Sequence, residues 1–469
     1  MSTPRTPASA FAARRRALAS RLSRPALIAS GLPRARNYRA NAYPFRATSH
    51  FLYLVGASIP GAALLITKDR ADLFAPLLDL DDAIWHGPQP TFETIREAHG
   101  LDAVRPVGEL DEALRELGRE NVASLPTEDA ESSAWVAARL GRAVAPSSGD
   151  KLAEGSPDVE LAEAMIAIRL HHDEAAADQL RAAGEASAEA HLVGMRATRG
   201  ARHEWEVAAA MVGELHRRGL GESYSPIVTI HGEVLHNHGH ENPIQPGDLL
   251  LADVGGETPE GWAGDITRTW PVSGTFSPTQ RAIYDVVLAA QKAAVSMVKK
   301  GTSYRSIHEK TARAMVEGLK GLGIFKGDVD GLCERGAGAI FFPHGVGHLL
   351  GLDVHDMEDL GDRAGYAKGR ARSKRFGDAY LRLDRELAPG MAVTIEPGFY
   401  HVPGILASEA ITGAVGRDLD REALSRFSDV RGIRIEDDVL CTEGEPEVLT
   451  KRVPKEVKDI EAVMAEGRG

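Results

Sequence analysis

The hydrophobic pattern changes style along the chain. Up to about residue 145, short apolar runs alternate with helix-period segments, which predicts short strands separated by helices. FAARRRALASRL (Phe11 to Leu22) predicts an amphipathic helix, and FLYLVGASIPGAALLIT from Phe51 predicts strand, turn, strand. The second run is broken by Pro60 and two glycines and falls short of the roughly 20 apolar residues of a membrane span. A turn-rich stretch of low hydrophobicity, APSSGDKLAEGSPD (Ala145 to Asp158), then predicts a boundary between domains at 1–158 and 159–469. An Ala/Glu-rich helical run follows, in which His171 and His172 read as residues of a solvated face. Beyond about residue 220, strands are interrupted by long helices.

That second region contains a repeat. PGDLLLADVGGE (Pro246 to Glu257) and PGMAVTIEPGFY (Pro389 to Tyr400) each open on Pro-Gly and run through an apolar strand. Each then places a carboxylate seven residues after the proline, Asp253 or Glu396, and a glycine two residues later. Each carboxylate has a second one downstream on another strand-like segment, Asp265 in AGDITRTWPV and Glu436 in RGIRIEDDVL. Two pairs in matching frames are poorly explained as turn residues. Four converging carboxylates repel one another and cost desolvation energy unless a cation neutralises them, so the pattern predicts bound metal.

Composition narrows the partners. At 469 residues the chain is long enough for two or three domains, and a net charge of −12 argues against a nucleic-acid or membrane-surface binder. Cys333 and Cys441 are too few for a disulfide framework and lack metal-finger spacing, which fits a reducing cytoplasm. No acid precedes Asp69 while arginines are frequent, a composition resembling a transit peptide. The amphipathic helix runs so soon into SHFLYLVG, however, that a folded segment is the better reading.

The stretch HGVGHLLGLDVHD (His344 to Asp356) supplies imidazoles for such a site. His344 and His348 are four apart, as in the helical zinc-peptidase motif, but glycines 345, 347 and 351 oppose a helix and no glutamate follows the first histidine. Together with the two carboxylate pairs, this stretch is similar to the pita-bread metallopeptidases, the family of aminopeptidase P, prolidase and methionine aminopeptidase. The resemblance spans about residues 165 to 460.

It implies an α/β-type fold: a pita-bread catalytic domain of two pseudo-twofold halves, preceded by a smaller α/β domain. It further implies a dinuclear centre held by Asp253, Asp265, His348, Glu396 and Glu436. Asp265 and Glu436 would bridge both ions, and Glu396 would also orient or deprotonate a bridging water. The Asp253 to Asp265 spacing of twelve is one longer than the family usually shows, and the extra residue is expected in an exposed turn, GETPEGW. By the same resemblance His344, His355 and His236 face substrate and Arg434 supports the carboxylates, with His238 and His240 as loop residues. The hard, oxygen-rich donor set favours Mn2+, with Co2+, Fe2+ or Zn2+ as alternatives.

RNYRANAYPFRATSHFLYLVG (Arg36 to Gly56) resembles the N-terminal block shared by aminopeptidase P and prolidase. The implied substrates are peptides with proline at the second position. WAGDITRTWPVSGTFSPTQRAIYDVV is closer to aminopeptidase P, whereas Arg382, fourteen residues before Glu396, matches the arginine by which prolidases bind a dipeptide's carboxylate. The expected activity is an Xaa-Pro aminopeptidase, with Xaa-Pro dipeptidase as the alternative and a non-catalytic binding module as a remote one. The resemblance implies a homodimer or homotetramer. A dinucleotide enzyme is set aside because LADVGG lacks the GxGxxG frame.

Overall fold

The computed structural model describes residues 5–77, 80–127, 129–144 and 152–467; of the turn-rich stretch Ala145 to Asp158, residues 145–151 lie outside it. The described residues form two compact units, one of 5–176 with 357–364, the other of 177–356 with 365–467.

The first unit is built on a five-stranded mixed sheet. Its strands are β1 (Ala26–Ala29), β2 (Ala63–Ile66), β3 (Ala71–Ala75), β4 (Ala103–Pro106) and β5 (Ala123–Ser124), in the order β4-β3-β2-β1-β5. β1 and β2 are fully buried, and Leu27, Ala63, Leu65 and Phe74 join Leu110, Leu114, Val136 and Leu140 in one apolar core. The expected N-terminal helix forms over Ala8–Ala19, but two of its arginines face inward. Arg14 pairs with Asp173 at 2.8 Å and lies 4.6 Å over the Tyr53 ring, and Arg15 donates to the Leu54 carbonyl at 2.6 Å. Guanidinium stems bury readily when carbonyls or carboxylates take the charge, so these arginines serve the packing of the unit.

Two expectations need correction. SHFLYLV is a helix, Ser49–Val55, closed by Gly56 at φ +78°, and the strand begins only at Ala63. His50 to Val55 are all buried, and an apolar run buried on every side carries no period that separates helix from strand. The Ala/Glu-rich run is two helices, Pro157–Arg169 and Glu174–Thr198. It breaks where the Asp173 carboxylate accepts from the Ala176 amide at 2.8 Å, as an N-cap does.

The second unit carries the repeat. Its strands are β6 (Gly221–Glu222), β7 (Ile227–Thr229), β8 (Leu249–Asp253), β9 (Gly256–Glu257), β10 (Thr267–Pro271), β11 (Ala392–Ile395), β12 (Gly398–Tyr400), β13 (Gly432–Arg434), β14 (Asp437–Leu440) and β15 (Glu447–Val448). One repeat half is the antiparallel sheet β10-β8-β7, the other the antiparallel sheet β11-β14-β15 with the ribbon β12-β13 beside it in sequence. In each half a strand ends at or one residue before a carboxylate and its partner begins one or two residues after the second one, with Asp253 opposite Thr267 and Ile395 opposite Asp437. The helix Pro278–Ser296, opened by a Ser277/Gln280 capping box, packs on β11, β12 and β13. Trp270, Phe341, Phe399 and Ile433 are wholly buried in the core beneath. The loop GETPEGW is a tight turn in which Pro259 alone is exposed, so the expected exposed turn is largely buried.

Candidate metal centre

All ten residues singled out from the sequence line one cavity of about 390 Å3 in the second unit: His236, Asp253, Asp265, His344, His348, His355, Arg382, Glu396, Arg434 and Glu436. The strands explain this convergence. Asp253 closes β8, Asp265 stands two residues before β10, Glu396 follows β11, Arg434 ends β13 and Glu436 precedes β14.

His348 reaches the same place on extended backbone. The Glu396 amide donates to the Val346 carbonyl at 2.8 Å, the Thr394 amide to the His348 carbonyl at 3.0 Å, and Leu349 bridges Val393 in antiparallel sense, so residues 346–350 lie along β11. Gly347 permits this approach, since at its φ of +153° a Cβ would stand 2.2 Å from the Thr394 carbonyl oxygen. His344 and His348 are therefore not on a helix.

The centre holds more buried negative charge than its neighbours compensate. Asp253, Asp265 and Glu436 are each at least nine-tenths buried. Arg434 donates to Asp253 Oδ2 at 2.6 Å. Burial, with the charges of Asp265 and Asp253, pushes Glu396 up to about 7, and burial beside Asp265 and Glu396 pushes Glu436 well above the carboxylate range. Burial also raises Asp253, against the pull of Arg434. Asp265 goes the other way, because hydrogen bonding and charge from His348, with the Tyr224 hydroxyl, outweigh its burial.

His348 is prepared as a ligand. Its Nδ1 lies 3.0 Å from the Leu349 carbonyl, which can only accept, so a ring proton sits on Nδ1 and Nε2 is the atom turned toward the carboxylates, where a cation would take the place of a second proton. Nε2 faces Asp265 Oδ2 at 3.4 Å and Glu396 Oε1 at 3.8 Å. One donor atom each from Asp265, His348 and Glu436 lie within 4.8 Å of one another, all three residues buried. Excess carboxylate charge around a tautomer-fixed imidazole is a donor set that fits a hard or borderline divalent cation.

The other histidines are placed differently. His344 Nδ1 donates to the Gly345 carbonyl at 2.8 Å, leaving Nε2 to accept from the Tyr400 hydroxyl at 2.9 Å; Tyr400 in turn receives Arg434 Nη1 at 3.0 Å. Burial and the nearby Arg434 hold His344 down at about 3, so its ring is neutral. His355 meets the His348 ring edge-on at 4.3 Å. His236 stands exposed at the cavity wall, and His240 donates to the Pro226 carbonyl at 3.1 Å outside it.

Three residues at the centre carried no sequence signal that singled them out. Tyr224 places its hydroxyl 2.5 Å from Asp253 Oδ1 and 2.7 Å from Asp265 Oδ1, so three oxygens share one phenolic proton. Thr267 donates to Glu436 Oε2 at 2.6 Å and receives Arg434 Nε at 2.9 Å. Tyr400 stood in view four residues after Glu396, in the repeated frame, yet a tyrosine at a strand end is ordinarily core.

Comparison with known proteins identifies the family and the fold. Residues 178–443 match metallopeptidase family M24, and residues 11–125 match the aminopeptidase P N-terminal domain. The chain is 33% identical over 442 residues to human Xaa-Pro dipeptidase, covering 90% of this chain and 84% of that one. It is 33% identical over 469 residues to the Xaa-Pro aminopeptidase of Escherichia coli strain K12, covering 98% of both. Among solved structures, zinc-substituted E. coli aminopeptidase P in complex with product superposes with a TM-score of 0.80 at 32% identity, over 99% of this chain and all of that one. Proline aminopeptidase P II from Yersinia pestis gives 0.78 at 33%, over 98% and 100%.

Proposed function

The chain belongs to metallopeptidase family M24, and from that premise we propose that it is an Xaa-Pro aminopeptidase with a dinuclear centre, removing one residue from peptides with proline in second place. The observation that carries this reading is the convergence of four carboxylates and one imidazole in a single cavity. Asp265 and Glu436 would be shared by two ions, Asp253 would complete one and His348 with Glu396 the other, manganese suiting these donors first and cobalt, iron or zinc next. Bound divalent ions polarise a scissile carbonyl and make hydroxide available near neutral pH.

The protein's own groups supply the rest. Arg434, Tyr400 and His344 form a chain of hydrogen bonds at the cavity wall, which fixes the Tyr400 hydroxyl and the His344 ring in place beside the substrate. Glu396, 3.7 Å from the His344 ring, would orient or deprotonate the attacking water. Burial, Arg434 and Arg382 lower His236 below its ordinary range, so it meets substrate as a neutral imidazole.

Arg382 lines the cavity and favours the dipeptidase reading, as does the resemblance to human Xaa-Pro dipeptidase. The test is turnover of Ala-Pro beside Ala-Pro-Ala with added manganese. We expect the tripeptide to be the better substrate, and Arg382→Ala to slow Ala-Pro by about tenfold or more, the value of a charge-assisted hydrogen bond, while sparing Ala-Pro-Ala. A wild-type enzyme confined to Ala-Pro is the dipeptidase. The reducing cytoplasm and a dimer or tetramer remain part of this proposal; among the described residues no helix is long and apolar enough to cross a membrane.

A further inference from the structure

The cavity has unequal ends. Toward the carboxylates it is closed by buried groups, Asp253, Asp265 and Glu436 with Tyr224 behind them. At the mouth it is lined by Leu235, His236, Phe376, Tyr380 and Ile405, none of them buried. An enzyme that removes one N-terminal residue needs a closed side for that residue and an open side for the rest of the peptide. The mouth is then the downstream side, where the residue after proline emerges.

Two aromatic rings stand at that exit. Phe376 and Tyr380 meet edge to face with centroids 6.1 Å apart, and Tyr380 is 54% exposed. Solvent-facing aromatic surface beside a substrate cavity is costly to leave wet and typical of a contact surface.

The pair is held by a rigid turn. Gly377 sits at φ +85° with its Cα face so close to Ala339 that a Cβ would come within 2.5 Å of that residue's Cβ. Arg375 Nε reaches Asp378 Oδ2 at 2.9 Å, and the Ala379 amide donates to the Arg375 carbonyl at 2.8 Å. Arg372 donates to the carbonyls of Ala379 and Leu381, and Tyr366 Oη to Leu381 at 2.7 Å. A contact surface fixed before binding loses little entropy when it is used.

We propose that Phe376 and Tyr380 form a specificity-determining subsite for the third residue of the substrate, and that it selects an apolar or aromatic side chain there. This rests on the Xaa-Pro peptidase reading and deepens it. The test compares kcat/KM for Ala-Pro, Ala-Pro-Ala and Ala-Pro-Phe on the manganese-loaded full chain, for wild type, Phe376→Ala, Tyr380→Ala and Tyr380→Phe. Wild type is expected to favour Ala-Pro-Phe over Ala-Pro-Ala by about tenfold, the scale of one aromatic contact with its buried area, mostly through KM. Either alanine variant should shrink that ratio to about one to threefold, and Tyr380→Phe should keep it.

Because the readout is a ratio between substrates, a variant that folds poorly lowers all three rates together and leaves the ratio intact. A wild-type ratio near one, or a ratio unchanged in both alanine variants, overturns the subsite. Failure of wild type to cleave any of the three peptides overturns the peptidase reading instead, so the two failures are distinct.

Discussion

Glu436 and Asp437 follow one another in the chain, are both at least 98% buried, and meet opposite surroundings. Asp437 accepts from Arg268 Nη2 at 2.6 Å, Lys455 Nζ at 2.5 Å, Gln291 Nε2 at 2.8 Å and Thr450 Oγ1 at 2.9 Å. Despite its burial, these partners hold it down at about 2. Glu436 has one hydroxyl partner, Thr267, and otherwise faces more carboxylates, so it is driven upward. Consecutive residues of an extended segment point to opposite faces, so one strand edge carries a satisfied acid into the scaffold and an unsatisfied one into the cavity. Burial alone does not mark a functional acid. What separates Glu436 from Asp437 is the positive charge around each, together with the cavity that Glu436 lines.

The strongest way to break this comparison is Glu436→Ala. It should lower turnover by at least about a thousandfold and reduce bound metal, measured by kcat and elemental analysis. A variant with full metal content and near-normal turnover would show that the carboxylate cluster is not a metal site. Asp437→Ala should do the reverse: it strands Arg268 and Lys455 and is expected to cost about 3 to 5 kcal/mol in a denaturant melt. Turnover per folded molecule and metal content should stay close to wild type, and metal loss from a stable Asp437→Ala protein would erase the distinction.

A finer contrast lies between two histidines on one segment. His348→Ala should lose metal, while His344→Ala should keep it and lose about a hundredfold in rate, since only its hydrogen-bond chain is cut. Equal metal loss in both would mean that the Nε2 of His348 has no special role. The smallest effect belongs to Tyr224→Phe, which removes the proton shared by Asp253 and Asp265. Metal affinity, followed by competition with a chelator, should change by about tenfold, the usual scale for a group that supports a ligand.

The carboxylates were legible because they recur in frame: a Pro-Gly turn, an apolar strand and an acid at its end. That frame is also what pairs β8 with β10 and β11 with β14, so one signal spoke for both fold and cavity. The family resemblance implied the division of labour in HGVGH, but its physical cause lies at Nε2: both rings donate Nδ1 to a backbone carbonyl, and Nε2 meets the Tyr400 hydroxyl in His344 and the carboxylates in His348. Tyr224 and Thr267 stayed hidden because a single hydroxyl gains meaning only from what surrounds it in space. The helix Ser49–Val55 was misread as a strand because total burial erases periodicity, and the inward arginines of Ala8–Ala19 because their partners lie as far off as Asp173.

Gly347 has a consequence for anyone who mutates this protein systematically. It offers no donor, acceptor or charge, yet any side chain would have to occupy the space of the Thr394 carbonyl oxygen and push the segment bearing His348 away from β11. In a saturation scan scored by activity, the position should be as blank as those of the acids themselves, a hole in the tolerance profile at a residue with no chemistry of its own.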